Sequence, residues 1–331
     1  MSTRAFDALI AETASPAEDT ESFADAVRQG LTRHQRELPS RYLYDEIGTA
    51  LYEVITLLPE YGLSRADERL LSRHADAILR CVPEKLIVAE LGSGTARKTR
   101  ALLQALIGRA APLIYLPIDI SASALRNCEK EMTGLGGLSL VGLERSYLEG
   151  LREVAAHRPE DHALLVLFLG STLGNFERPA ADRFLTDIRR TLEPGDALLI
   201  GTDLEKPDSD LLLAYDDPLG VTAAFNRNLL VRINREFHAD FDLSRFQHHV
   251  RYDSAQRRIE MHLRSDRRQT VNIEDLEFRC KFQPGETIWT EACHKFNLEE
   301  LRAMAQRSGF RCEAQWVDAD WPFAESLWFA A

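Results

Sequence analysis

The residues Leu86 to Arg100, LIVAELGSGTARKTR, combine an apolar run with a glycine turn and a basic segment. Gly92 and Gly94 have no Cβ, so the backbone there can turn sharply and lie against a ligand. The helix expected from Ala96 offers free N–H groups to polar or anionic ligand atoms. One strand–helix unit later the apolar run Leu113–Ile118 ends at Asp119, where a carboxylate can accept hydrogen bonds from ribose hydroxyls. Glu90, Gly92, Ser93, Gly94, Lys98 and Asp119 are therefore candidate contacts for one ligand. The pattern is not the full G-x-G-x-x-G fingerprint, because Lys98 and Thr99 stand where a third glycine would help helix–strand packing. It is not a P-loop either, since no G-K-[ST] closes it. Asp119 also has a plainer reading, as a cap for the helix that follows Ser121.

The elements that must position these residues alternate regularly. Strands are expected at Leu86–Glu90, Leu113–Asp119, Leu138–Leu143, Ala163–Leu169 and Ala197–Thr202. Helices are expected at Ala96–Leu106, Ala122–Met132, Leu148–His157 and Pro179–Leu192, with an earlier long helix from Ser64, read as its N-cap, to about Arg80. Such fully apolar strands suit a parallel sheet covered on both faces. After Thr202 the rhythm stops. Leu211–Leu213 leads to Tyr215, and a helix is expected from Val221 to Phe237. The runs Gln247–Tyr252, Arg258–Arg264, Val271–Phe282 and Thr287–Cys293 alternate apolar with charged residues, as an antiparallel sheet with one wet face does. An amphipathic helix, Leu298–Gly309, and two strands, Arg311–Val317 and Ser326–Phe329, return to the first fold. The expected class is α/β, a doubly wound sheet with an inserted α+β domain.

Composition narrows the function. The chain has 331 residues, 45% of them hydrophobic and 28% charged, and a formal net charge of −12. That balance reads as globular and acidic, which disfavours nucleic acid and acidic membrane surfaces as partners. The segment Met1 to Glu18 has no apolar core and does not read as a signal peptide, and the apolar runs are too short to span a bilayer. The five cysteines are scattered without C-x-x-C spacing, so neither a disulfide framework nor a zinc site is expected. No metal is expected, and the chain reads as a cytoplasmic monomer acting on small molecules.

The glycine turn followed by a strand-end acid resembles the class I S-adenosylmethionine (SAM) methyltransferases. Further motifs follow in order. They are Tyr44-Asp45-x-x-Gly48, Leu58-Pro59-Glu60-Tyr61, Glu90-Leu91-Gly92-Ser93-Gly94 with Arg97-Lys98-Thr99-Arg100, Phe168-Leu169-Gly170-Ser171-Thr172-x-Gly174-Asn175-Phe176 and Gly201-Thr202-Asp203. Then come Ala214-Tyr215-Asp216-Asp217 with Gly220 to Asn226, and Thr290-Glu291 with Lys295-Phe296. Over residues 35 to 331 this set resembles the L-histidine Nα-methyltransferases of ergothioneine biosynthesis. The resemblance implies a Rossmann-like SAM domain over 64–203 and 296–331. It implies a substrate domain over 19–63 and 204–295, after a loose tail over 1–18.

The same resemblance implies roles. Gly92 and Lys98 belong to the SAM loop and Asp119 to the ribose. Asn175 and Tyr215 hold the substrate's α-amino and carboxylate groups. Tyr44 and Tyr61 line the amino-acid pocket, with Tyr44 and Asn175 placed at the reacting end. Glu291 accepts an imidazole N–H, and Met261 lies beside the ring. Two positions depart from the family pattern. Cys293 stands where the family has a serine as second imidazole partner, and a thiol is the weaker hydrogen-bonding group. Ser146 stands where an aspartate usually accepts from the adenine amino group; Tyr147, after it, can still stack.

Methyl transfer from a sulfonium to an amine is an in-line displacement by a nitrogen lone pair, so the work is positioning and the amine must be neutral. Asn175 and tyrosine hydroxyls suit the amine, while Glu291 suits a side-chain N–H donor. The expected reaction is trimethylation of L-histidine to hercynine. The alternatives are another amino acid or small amine on the same scaffold, or a SAM-binding protein without catalysis. Singly, each residue also has a structural reading. Asn175 would satisfy loop backbone, and Tyr44, Tyr61 and Tyr215 would pack with one bonded hydroxyl. In an alternating strand Glu291, two residues after Trp289, would be a solvated acid. Cys293 would be a small buried hydrophobe.

Overall fold

The computed structural model describes residues 22–109 and 112–331; the tail expected over 1–18 lies outside them. In chain order the helices and strands begin with α1 (Phe23–Thr32), β1 (Arg36–Glu37), α2 (Glu46–Leu57), α3 (Gly62–Cys81) and β2 (Leu86–Leu91). Next come α4 (Arg100–Arg109), β3 (Leu113–Asp119), α5 (Ala122–Met132), β4 (Leu138–Leu140), β5 (Leu143–Glu144), α6 (Tyr147–His157), β6 (Ala163–Phe168), α7 (Arg178–Thr191) and β7 (Ala197–Asp203). Then follow α8 (Asp208–Tyr215), α9 (Val221–Phe237), β8 (Phe246–Asp253), β9 (Arg258–Ser265), β10 (Gln269–Ile273), β11 (Phe278–Phe282) and β12 (Thr287–His294). The chain ends with α10 (Leu298–Arg307), β13 (Phe310–Val317) and β14 (Phe323–Ala330).

The chain divides into two compact units. One contains Leu63–Glu205 and Phe296–Ala331; the other contains the described residues up to Gly62 and Lys206–Lys295. The first unit is built on a sheet ordered β13-β14-β7-β6-β2-β3-β4, with β5 also on β3. Strands β2 to β7 pair in parallel, and β14 runs antiparallel to β7 and to β13. A parallel doubly wound sheet closed by one reversed hairpin is the class I methyltransferase arrangement. The six residues of β2 are all buried. Ile87, Ala89 and Leu91 pack in a cluster with residues of α6, α7 and α10. Leu86 and Val88 pack in another with residues of α3, α4 and α5. Alternate side chains of one strand thus feed two cores, which is why its sequence is apolar without alternation.

The second unit carries a sheet ordered β1-β12-β9-β8 and a separate hairpin, β10-β11. Its sheet is not purely antiparallel as expected, because the short β1 pairs in parallel with β12. The run Val271–Phe282 is not one strand; the 3-10 turn Glu274–Leu276 and Glu277, with a left-handed backbone, fold it back on itself. Helix α8 replaces the short apolar run expected at Leu211–Leu213. In the first unit Ser64 lies inside α3 rather than capping it. The strand expected at Leu138–Leu143 is two short pieces. Helix α4 starts at Arg100, four residues later than expected, because turns at positive φ carry the chain from Gly92 through Ala96. Among the described residues no helix is long and apolar enough to cross a membrane.

Candidate active site

In the first unit the glycine turn leaves β2 with φ +72° at Gly92, whose N–H donates to the Ile118 carbonyl over 2.8 Å. A Cβ on Gly92 would stand 3.1 Å from the Tyr147 hydroxyl, so the site needs glycine for space as well as conformation. The Gly94 N–H donates to Asp119 Oδ2 over 3.1 Å, and the Ser121 N–H donates to Asp119 Oδ1 over 2.9 Å. Asp119 therefore ties the turn to the end of β3, while the Ser121 hydroxyl caps α5. Burial pushes the Asp119 carboxyl above its ordinary value, opposed by those N–H groups. A Cβ on Gly94 would meet open space. The Ser93 hydroxyl is buried with no hydrogen-bond partner. An open cradle, an orphaned hydroxyl and a strand-end acid fit a nucleoside-bearing ligand.

Glu90 lies beneath the turn. It is 1% exposed and accepts from the Thr99 hydroxyl over 2.8 Å and from the Tyr115 hydroxyl. It braces the loop, and burial raises its pKa to about 7. Lys98 Nζ lies 2.7 Å from Asp67 Oδ2. Asp67 was not among the sequence candidates. Its signal was an acid at an inward position of α3, between Leu63 and Leu70, both buried. Ser146 is the N-cap of α6, with its hydroxyl donating to Glu149. The Tyr147 ring lies edge-on to Phe168, 5.6 Å between centroids. After β6 the chain passes Gly170 and Ser171, both at positive φ, into the 3-10 turn Thr172–Asn175. Ser171 holds that turn to β7: its N–H donates to the Gly201 carbonyl and its hydroxyl accepts from the Asp203 N–H over 2.9 Å. Asn175 thus sits beyond the carboxyl end of β6, where open α/β sheets take ligands.

In the second unit a different set converges. Asp45 caps α2 by accepting from the Gly48 N–H over 2.8 Å, and Asn228 adds a bond over 2.7 Å. A Cβ on Gly48 would collide with the Leu43 carbonyl. The Tyr44-Asp45-x-x-Gly48 motif is therefore a clamp that fixes Tyr44. The Tyr44 ring lies 5.5 Å from Tyr52 and 5.5 Å from Phe225, Tyr52 lies 6.5 Å from Tyr61, and Tyr61 lies 6.0 Å from Tyr215. The Tyr61 hydroxyl is pushed well above its ordinary pKa, first by burial and then by Tyr52, Cys293 and Tyr44. It stays protonated at neutral pH. Tyr52 and Phe225 are members of this cluster that sequence reasoning gave no role.

The β12 strand completes the cluster through an irregularity. Trp289 pairs with His262 and Glu291 with Met261, so Thr290 has no cross-strand partner. Strict alternation would put Glu291 on the face of Trp289. The bulge at Thr290 puts it on the face of Met261, with Cys293 two residues further on. The Thr290 hydroxyl donates to the Met261 carbonyl over 3.0 Å and holds the bulge. Met261 and Cys293 are 1% and 4% exposed. His294 faces away from Cys293, opposite Arg258. Burial raises the Glu291 carboxyl from 4.5 to about 7, against the opposing charge of Lys295. Lys295 is fully buried; its ammonium donates to the Tyr215 hydroxyl over 3.1 Å and to Cys293 Sγ over 3.3 Å. Sequence reasoning had placed Lys295 in a motif without a function.

The arrangement sets a carboxylate and a cation beside an aromatic, hydroxyl-bearing cluster. That suits a zwitterion with a side-chain N–H donor. A family profile described as "Histidine-specific methyltransferase, SAM-dependent" matches residues 23–330. The chain is 40% identical over 306 residues to the histidine N-alpha-methyltransferase of Mycobacterium tuberculosis, covering 91% of this chain and 92% of that protein. It is 40% identical over 305 residues to the histidine N-alpha-methyltransferase of Mycolicibacterium smegmatis, again covering 91% and 92%. Ergothioneine biosynthesis protein 1 of Schizosaccharomyces pombe is 29% identical over 295 residues, 87% of this chain and 38% of that longer protein. The chain belongs to the family of histidine-specific, SAM-dependent methyltransferases.

Proposed function

We propose that this enzyme trimethylates the α-amine of L-histidine to hercynine, a step toward ergothioneine. The observation that carries the reading is the Thr290 bulge, which brings Glu291 to the face of Met261 in a pocket otherwise lined by tyrosines. SAM, when bound, supplies a methyl group on a positively charged sulfur. Gly92, Ser93, Gly94 and Lys98 would hold its amino-acid end, Asp119 the ribose hydroxyls, and Ser146 and Tyr147 the adenine. In the acceptor pocket Glu291 takes the imidazole N–H, with Met261 against the ring. Tyr215 receives the carboxylate. Tyr44 and Tyr61 offer hydroxyl oxygens to the amine without a carboxylate that would favour its protonated form. The Lys295 ammonium disfavours a second positive charge nearby, which keeps the amine's lone pair available.

Cys293 supports a second reading, in which the same scaffold accepts another amino acid. A thiol engaged by Lys295 is a poorer imidazole partner than the hydroxyl it replaces. Mass spectrometry of a mixture of the protein, SAM and the twenty amino acids separates the two. Histidine gaining up to three methyl groups, alone, supports the first reading. Methylation of a different amino acid supports the second and removes the first.

A further inference from the structure

Three carboxyl groups lie under the glycine loop within the first unit: Asp67 on α3, Glu90 on β2 and Glu325 on β14, exposed by 0%, 1% and 1%. They differ in their partners. Glu90 accepts from the Thr99 and Tyr115 hydroxyls. Asp67 is half satisfied. Its Oδ2 accepts from Lys98 Nζ over 2.7 Å and from the Gly170 N–H over 2.9 Å, while its Oδ1 has no donor. Neither oxygen of Glu325 has one. Yet the two carboxyls belong to one neighbourhood: the Gly170 N–H donates to Asp67, the next residue, Ser171, donates its N–H to the Gly201 carbonyl, and Asp67 acts on Glu325 to raise its pKa. The sheet fixes the place of Glu325. Glu325 pairs in register with Gly201, and a Cβ on Gly201 would come 2.8 Å from Glu325 Oε1.

Two buried acceptors that face each other with no hydrogen between them repel, and each lacks the donor that burial demands. A proton on one of them removes both faults. Asp67 has an ammonium and an N–H group that favour its anion; Glu325 has neither, so the proton belongs to Glu325. We propose that Glu325 is held as a neutral carboxylic acid that donates its O–H to Asp67 Oδ1, leaving Asp67 as the anion that anchors both Lys98 and Gly170. Burial, and next the charge of Asp67, act on Glu325 in the same direction. The consequence is positional. Lys98 belongs to the loop assigned to the methyl donor, and Gly170 opens the turn that ends at Asn175. A single buried proton thus sets the geometry of both. Asp67 and Glu325 are positioning residues, and this role rests on the assignment of the loop to SAM.

The first test needs no ligand. Infrared difference spectra of the wild-type protein and Glu325→Gln are compared at a pH of about 8, where carboxyls with ordinary values near 4 are ionised. A protonated-carboxyl C=O band present in the wild type and missing in the variant is expected; its absence from the wild type overturns the proposal, whatever the loop binds. The second test is SAM affinity by calorimetry. The amide of Glu325→Gln still donates to Asp67, so its Kd should stay within about twofold of wild type, whereas Glu325→Met should weaken binding about tenfold. Equal weakening in both variants would sink the donor role. Should the Met variant fail to fold, Asp67→Asn serves in its place, with the same tenfold loss expected from an unanchored Lys98.

Discussion

The Lys295 ammonium donates to the Tyr215 hydroxyl over 3.1 Å and lies 4.8 Å from the centre of the same ring. An ammonium has no lone pair, so the tyrosine oxygen is the acceptor and its proton turns away from Lys295. Tyr215 is thereby prepared as a donor, which suits a substrate carboxylate better than a substrate amine.

Lys295→Met should expose this arrangement. The methyl-capped side chain fills the space but neither orients Tyr215 nor supplies charge. The KM for histidine should rise roughly tenfold or more, since a charge-assisted hydrogen bond contributes about 1.5–3 kcal/mol. SAM affinity should stay near wild type, because the contacts assigned to SAM lie in the other unit. Steady-state kinetics with calorimetry of SAM binding gives both numbers. An unchanged histidine KM would remove Lys295 from the pocket.

Gly170 has φ +72°, and a Cβ there would stand 2.9 Å from Lys98 Nζ. Gly170→Ala carries left-handed strain of about 1–2 kcal/mol and also displaces the Lys98 side chain. A fall of a few degrees in Tm is expected, together with weaker SAM binding. Gly94→Ala is the contrast. It has similar strain at φ +53° but meets nothing within 4 Å, so its effect on SAM binding should come from contact with the ligand alone. Thermal melts with and without SAM distinguish them. Loss of SAM-induced stabilisation in neither variant would argue against this loop as the donor site.

Most of the first unit could be read from sequence because its signals are local and periodic. The strand β2 is buried at every position and apolar at all but Glu90, and Asp119 ends β3 as expected. The start of α4 could not be read so well. Thr99 and Arg100 look helical, but the positive φ at Ala96 delays the helix until the loop is complete. The burial of Asp67 and Glu325 against each other has no local signature, since the two are joined only by the folded sheet. In the second unit the tyrosines announced themselves as a motif, but Glu291 could be placed only by resemblance. Period-two reasoning gives it the face of Trp289, and one unpaired residue reverses that.

Glu291 should also leave a signature in the pH dependence of stability. Burial raises its pKa from 4.5 to about 7. A carboxyl with a raised folded pKa stabilises the fold below its unfolded value, and that contribution is lost as pH rises through about 7. Glu291→Gln carries no such charge. Without ligand, the variant should match wild type near pH 5 and exceed it by about 2 kcal/mol near pH 8. Histidine should reverse the order at pH 8, because an imidazole N–H favours the carboxylate. Denaturant titrations at the two pH values, with and without histidine, test this. Parallel pH profiles for the two proteins would mean that Glu291 is not held in a dry pocket.

Cys293→Ser asks whether the thiol limits the enzyme. Cys293 is 4% exposed and already receives a hydrogen bond from Lys295 over 3.3 Å. A serine oxygen is the stronger acceptor for that ammonium, and its own proton or second lone pair remains for the imidazole. One improved hydrogen bond of about 1 kcal/mol lowers the histidine KM about fivefold. The kcat should change little, because the bond is made equally in the ground and transition states and so affects binding alone. The same variant discriminates the substrate readings. If the enzyme prefers histidine, serine improves it. If Cys293 serves a different amino acid, serine should raise histidine methylation and lower that of the preferred acceptor, shown by product masses in a mixed-substrate assay. No change for any acceptor would place Cys293 outside the contacts that choose the substrate.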